Sequence, residues 1–163
     1  MACMNDPMAL LKQFIQDNLS SANPTTTQMS GRIFTSPTER DFITPSILIG
    51  PCPEGPSTWL GATMMWYKQP VPVTAYDAYD LNPLNTSTTP RDAKIRTWNL
   101  IDSVRTLIAN SKNLSADGKI AVVYNYGTPR KVNLTRWRPP VLAVVSTVMF
   151  EWVDDLSNSG VIP

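Results

Sequence analysis

Near the start of the chain, apolar residues follow the spacing of an amphipathic helix. Asp6 and Pro7 form a helix-start pair, with the aspartate as N-cap and the proline at the first helical position. The apolar residues that follow recur every three or four positions as far as Leu19. This pattern predicts a short helix over residues 7–18.

A longer helical pattern covers residues 90–110. Thr89 is the predicted N-cap, Pro90 takes the first helical position, and isoleucine, leucine and valine then form one broad apolar face. A face this broad indicates a helix buried beneath a sheet, with Trp98 as a core residue.

The remaining apolar segments are short and are bounded by proline and glycine, as is typical of β-strands. Prolines flank residues 71–79 and place that strand at a sheet edge, whereas the nearly continuous apolar run 141–153 indicates a central strand. The sequence predicts an α+β domain, in which a twisted antiparallel sheet of about five or six strands packs around one long amphipathic helix. The predicted strands are residues 43–49, 58–67, 71–79, 119–126, 131–138 and 141–153.

The polar stretch 20–38 divides the chain into two parts. It contains small polar residues and two prolines, which is typical of a linker or an extended arm. Residues 1–40 are therefore predicted to form an N-terminal helix and a polar arm that is partly disordered. The compact domain is predicted to cover residues 41–163.

Composition removes much catalytic chemistry. The chain has no histidine, so it lacks the usual general base, and two cysteines cannot build a structural zinc site. Without a histidine to activate it, Cys52 is not expected to act as a nucleophile. The carboxylate pairs Asp77/Asp80 and Asp154/Asp155 fit a glycosidase only in principle, and we expect them to be solvated. We predict no enzymatic activity, no metal and no cofactor.

Charge and hydropathy bear on partners. The formal net charge is +1, and no basic arm precedes the domain, which argues against a nucleic-acid partner. The most apolar stretch, 141–153, is interrupted by Ser146 and Glu151 and is shorter than the roughly 20 residues of a spanning helix. We therefore predict no membrane insertion by this segment.

The strand predicted over residues 131–138 carries the strongest candidate for a binding surface. If Val132 and Leu134 face the core, the alternation of a strand places a large ring and several hydrogen-bonding groups on the opposite face. Sugars bind such surfaces, because their C–H faces stack on rings while their hydroxyls need planar polar partners. The residues of this predicted face are Lys131, Asn133, Thr135 and Trp137.

Neighbouring residues extend this candidate site. Arg136 and Arg138 flank Trp137 and could add charge-assisted hydrogen bonds to an acidic or hydroxyl-rich ligand. Tyr126 and Arg130 are further candidates. The alternative is an ordinary edge strand, with a surface tryptophan packed beneath arginine.

Several short segments resemble the head of the rotavirus outer-capsid spike protein, the receptor-binding fragment that protease cleavage separates from the stalk. Residues 42–163 can be laid along such a head in order. The resemblance lies in residues 47–51, 59–63, 98–106, 117–120, 126–129 and 158–163.

The resemblance implies a function and a choice of fold. Species A heads are galectin-like β-sandwiches, which remain the alternative fold, whereas the helix predicted over 90–110 resembles better the species B head, a twisted sheet that clasps a helix. The implied function is non-enzymatic attachment at the virion surface, with host-cell carbohydrate and the remainder of the spike as partners. The sialic-acid pocket of species A cannot be carried over. The competing functions are a structural capsid or coat projection and, more remotely, a hydrolase.

Overall fold

The computed structural model describes residues 6–22, 32–35, 44–53, 55–79, 89–116, 118–136 and 139–155. Two helices and seven strands make up this part of the chain. In chain order they are α1 (Pro7–Ala22), β1 (Ile33–Phe34), β2 (Ser46–Ile49), β3 (Ser57–Trp59), β4 (Met64–Ala78), α2 (Pro90–Ser111), β5 (Asn113–Ala116), β6 (Lys119–Leu134) and β7 (Val141–Asp155).

The seven strands form one curled sheet in the order β1-β2-β4-β7-β6-β5, with β3 paired to β4. All neighbouring strands are antiparallel except β1 and β2, which are parallel. The α+β class predicted from the sequence is therefore confirmed. The galectin-like alternative needs two sheets packed face to face, and the described strands form a single sheet.

The prediction of one long helix is corrected by the structure, because two helices pack on the same face of the sheet. Helix α2 contributes Ile101 and Ile108 to the core, and α1 contributes Leu11 and Ile15, all of them fully buried. They meet a stripe of sheet residues that includes Phe150. The apolar side of α1 is thus part of the core.

Local signals account for the start of α2. The Thr89 side chain accepts a hydrogen bond from the backbone N–H of Asp92, and the Asp92 carboxylate accepts one from the N–H of Thr89. Pro90 occupies the first turn, where its missing N–H costs nothing. The helix begins at its predicted first residue and ends one residue beyond its predicted last residue. Its start could be predicted because all of these signals lie within one turn of chain.

The prediction that the strand over 71–79 lies at a sheet edge is wrong. It is part of β4, which lies between β2 and β7. The N–H of Lys68 donates to Pro56 O, and Pro72 O accepts from Gly50 N–H, so even-numbered residues of β4 direct their backbone groups away from β7. The nitrogens of Pro70 and Pro72 face the same side, where they interrupt no hydrogen bond to β7.

The second half of the sheet differs from its prediction in two respects. Residues 119–126 and 131–134 of the two predicted strands belong to the single strand β6, which ends at Leu134 and has a register irregularity between Tyr126 and Arg130. Thr135 and Arg136, which were predicted as strand, lie in a turn. Strand β5 forms a hairpin with β6 and was not predicted. The prediction for β7 is confirmed, because it lies between β4 and β6 and buries side chains on both faces.

The predicted domain boundary near Asp41 lies outside the described residues and stays a prediction. Within the predicted arm, β1 pairs with β2, and Ile33 is buried in the core. Neither described helix combines the length and the apolar character needed to cross a membrane.

The burial of α1 generates the first prediction. Ile15→Ala should lower the free energy of unfolding by about 2–5 kcal/mol, because it opens a cavity in the core beneath α1. The measurement is urea unfolding of the full chain. Gln13→Ala, on the exposed side of the same helix, should change stability by less than about 0.5 kcal/mol. Equal stability of the two variants would show that α1 is not part of the cooperative unit.

Candidate functional site

The two faces of the sheet have different surroundings. Val148, Phe150 and Trp152 of β7 belong to the core cluster that the two helices cover. Alternation directs Thr147, Met149 and the other odd-numbered residues of β7 to the opposite face. We call this opposite side of β4, β7 and β6 the open face. Within the described residues, no helix packs on it.

Most of the large hydrophobic side chains that are exposed lie on the open face. The register places them in rows across the sheet, and a contiguous exposed apolar surface commonly marks an interaction site. They are Met64, Ile120, Val122, Tyr126, Val132 and Val153.

Four side chains near the middle of the open face contact one another. We call Trp66, Lys68, Tyr124 and Glu151 the open-face cluster. Lys68 Nζ lies 3.3 Å from Glu151 Oε1 and 6.0 Å from the centre of the Trp66 ring. The Tyr124 hydroxyl donates a hydrogen bond to Glu151 Oε1. Three strands, β4, β7 and β6, supply these residues, so the sheet register holds them together.

The open-face cluster contains one ammonium group and one carboxylate, both ionised, so that its net charge is zero. The hydrogen bond from Tyr124, followed by the contact with Lys68, lowers the pKa of Glu151 against the opposing effect of burial. Hydrogen bonds with Tyr124 and Glu151 raise the pKa of Lys68. At neutral pH the ammonium and the carboxylate therefore compensate each other, and the two rings lie beside this ion pair.

Two of the residues predicted from the sequence lie on the open face. Tyr126 is 56% exposed and pairs with Thr147, one row beyond Tyr124. Arg130 is exposed and pairs with Val145, in the next row of the open face. The structure thus brings these two predicted residues to the same face as the open-face cluster.

The other predicted residues are not brought to this face. Lys131 and Asn133 pair with Val144 and Leu142, so they point to the side of the sheet that the helices occupy, although both are exposed. Thr135 and Arg136 lie in the turn after β6 and are exposed. Trp137 and Arg138 lie outside the described residues.

The prediction that the side chain of Val132 faces the core is wrong. For this reason the residues of the predicted binding face do not all lie on one side of the sheet. Val132 pairs with Ala143 on the open face and is 41% exposed. Its neighbour Leu134 follows the same alternation and is half-buried. The core lies beneath the odd-numbered residues of this strand. The sequence pattern therefore predicted the correct period of two residues but assigned the core to the wrong face of the strand.

The irregularity in β6 explains the exposure of its second half. Gly127 adopts a left-handed conformation with φ of 70°, and Arg105 of α2 donates hydrogen bonds to Gly127 O at 3.2 Å and to Ser146 Oγ at 3.0 Å. Asn125 donates to Arg105 O at 2.8 Å. These contacts tie the bulge to α2, and the strand continues beyond it as an edge strand.

Sequence reasoning missed Trp66, Lys68 and Glu151. One signal was present, because Glu151 is the only charged residue in the apolar run 141–153. A charge in a central strand requires a partner, and that partner had to come from a neighbouring strand. Which strand supplies it depends on the sheet order, which the sequence did not specify.

The expectation that the carboxylate pairs are solvated is also wrong for two of their members. Asp77 is 2% exposed and lies 2.7 Å from Arg96 Nε, and burial raises its pKa more than Arg96 lowers it. Asp154 is buried and lies 2.8 Å from Lys119 Nζ. Asp80 lies outside the described residues. Each described ion pair links two elements of the fold.

The comparisons with known protein families and with curated proteins identify no relative of this chain. No protein-family model matches the chain, and a search of curated proteins finds no match.

The environment of Cys52 generates the second prediction. Burial and, to a smaller extent, the charge of Asp6 together raise the pKa of its thiol to about 11. The thiol is therefore protonated at neutral pH, and the rate of its reaction with a disulfide reagent should rise about tenfold per pH unit and level off only near pH 11. The measurement is the pH profile of labelling in Cys3→Ser. A labelling rate that levels off near pH 8.5, the range of an ordinary cysteine, would contradict it.

Proposed function

We propose that this chain is the receptor-binding head of a viral spike and that it attaches virions to host-cell carbohydrate through the open face. The observation that carries the proposal is the arrangement of Trp66 and Tyr124 beside the Lys68–Glu151 pair, with Tyr126 one row beyond Tyr124, on the face that no described helix covers. Binding requires no catalysis.

The chemistry of this surface suits a sugar. Aromatic rings offer flat apolar surfaces for the C–H faces of a pyranose. Lys68 supplies donors, the Glu151 carboxylate is an acceptor, and the hydroxyls of Tyr126 and Thr147 can do either. Because the ion pair is already formed in the free chain, these groups are oriented before a ligand arrives.

Charge along the open face is compatible with neutral and acidic glycans. The open-face cluster carries no net charge, and Arg130 adds a positive charge two rows from Tyr124. A neutral sugar would use the cluster and Tyr126 alone. An acidic sugar would extend towards Arg130, where a charge-assisted hydrogen bond becomes available.

The viral part of the proposal is supported by the resemblance of residues 98–106 and 126–129 to rotavirus spike heads. Residues 98–106 lie within α2 and residues 126–129 lie at the bulge of β6, so both segments occupy structured positions. A long helix against a curled sheet also fits the divergent, species B-like head, with α1 as a second helix. On a virion, several copies would turn weak single-site affinity into avidity.

A second function, a structural capsid or coat projection, is favoured by one observation. Met64, Ile120, Val122 and Val153 form an exposed apolar area at the end of the open face where β7 finishes. Such an area suits contact with another protein better than contact with a sugar. If it serves assembly, the chain should associate with itself or with a capsid component and should bind no glycan.

Tyr126→Ala tests the attachment proposal. The wild-type chain is first screened on a glycan array, and its best ligand is then titrated against the variant. Loss of the ring should weaken binding at least about tenfold, which corresponds to about 1.4 kcal/mol. Because Tyr126 is 56% exposed, stability should fall by less than about 1 kcal/mol.

Two controls make this result specific. Trp59→Ala removes an aromatic ring that is 58% exposed but pairs with Met65, on the face opposite the open-face cluster, and it should leave binding unchanged. Trp137→Ala tests the residue that the sequence nominated. Lost binding in Trp137→Ala with full binding in Tyr126→Ala would place the glycan near Trp137 and reject the site formed by Tyr126 and the open-face cluster.

A further inference from the structure

A groove of about 760 Å³ runs between α1 and the β5–β6 hairpin, on a different part of the molecule from the open-face cluster. Leu10 and Phe14 line it from α1, and Leu114 and Ala116 line it from β5. These four side chains make its inner surface apolar.

The strand that lines the groove has a free edge. Within the described residues, β5 pairs only with β6 and is the last strand of the sheet. Ala116 pairs with Lys119 across the turn, and Val123 N–H donates to Lys112 O at 2.8 Å. Alternation in an antiparallel ladder then directs the backbone N–H and C=O of Asn113 and Ser115 away from β6 and towards the groove.

The directions of the β5 side chains determine which residues an added strand must carry. Leu114 is buried in the core cluster, and Ala116 packs against that cluster, so β5 presents apolar side chains towards the helices. A residue added opposite Leu114 would face Phe14 as well, and it must be apolar to bury this surface favourably. The alternate side chains of such a strand would point towards solvent.

Two charged side chains, Lys119 and Asp17, line the groove. Lys119, which lines the groove, is already engaged with Asp154 at 2.8 Å. Asp17 lines the groove from α1 and is exposed, and no described residue forms a salt bridge with it. A ligand with a basic residue near its apolar one would compensate this carboxylate.

We propose that the groove binds an extended segment of a partner protein, which adds to β5 as a further strand and carries lysine or arginine two positions from a buried apolar residue. Backbone hydrogen bonds to Asn113 and Ser115 supply the pairing. The apolar residue packs between Phe14 and Leu114, and the basic residue meets Asp17. This inference does not depend on the glycan proposal.

The probe is the heptapeptide Ser-Arg-Ser-Val-Ser-Arg-Ser, acetylated, amidated and fluorescently labelled. Its arginines lie two positions to either side of the valine, so it presents the same face in a parallel or an antiparallel orientation. Anisotropy measures its affinity for the full chain. Amide hydrogen exchange of Ser115 and Asn113, followed by NMR, should slow when the peptide is bound, because strand addition protects both groups.

Two altered peptides separate backbone pairing from non-specific attraction. The same sequence N-methylated at the valine and at the serines on either side of it lacks the backbone donors of the pairing edge in both orientations, and its affinity should fall at least about tenfold. Replacing both arginines by aspartate should abolish binding. Equal affinity of the N-methylated peptide would overturn strand addition.

Substitutions in the chain provide the matching test. Ser115→Pro removes an outward-pointing N–H from an edge strand, so it should preserve the melting temperature and weaken the peptide at least about tenfold. Asp17→Asn should weaken it roughly threefold, whereas Asp102→Asn, which removes an exposed carboxylate from α2, should have no effect.

Three outcomes would overturn the proposal. They are binding without protection of the Ser115 amide, unchanged affinity in Asp17→Asn, and dimerisation of the peptide-free chain that Ser115→Pro abolishes. The last outcome would show that a second copy occupies the β5 edge. If Ser115→Pro fails to fold, the N-methylated peptide on the wild-type chain still decides the question.

Discussion

The pairing of β4 with β7 is the constraint on which the rest of the structure depends. Both strands are 15 residues long, and they pair without interruption from Met64↔Asp155 to Ala78↔Val141. This register directs the stripe that includes Val73 and Phe150 to the helices, and the same alternation brings Lys68 opposite Glu151. A slip by one residue would expose the core stripe and separate that ion pair. The register of β4 with β7 therefore determines both the core and the candidate site.

What the sequence could predict of the fold followed from local signals. The start of α2 depends on Thr89, Pro90 and Asp92, three residues within four positions of the chain, and it was predicted correctly. The place of β4 depends on the side that Pro70 and Pro72 face, which is away from β7 and towards the loop that begins at Gly50. That loop and β7 are far apart in sequence. The preference of proline for edge strands therefore led to the wrong position for β4 in the sheet.

The candidate site was only partly predictable for a related reason. Tyr126 and Arg130 were nominated, and they lie on the open face because the bulge between them preserves the alternation of β6. The direction of that alternation was misread at Val132, since an edge strand with little burial gives a weak hydrophobic signal. Lys68 and Glu151 are 83 residues apart. Only the sheet order brings them together.

The two surfaces on this sheet meet at one residue. Ile120 is 65% exposed on the open face, pairs with Ser115 and also lines the groove beside β5. A strand added to β5 would continue the existing ladder and cover part of Ile120, which reduces the apolar area at that end of the open face. The open-face cluster lies on β4, β7 and β6, whose pairing a new edge strand leaves unchanged. Occupancy of the groove would therefore affect the open face through contact at Ile120, and not through rearrangement of the sheet.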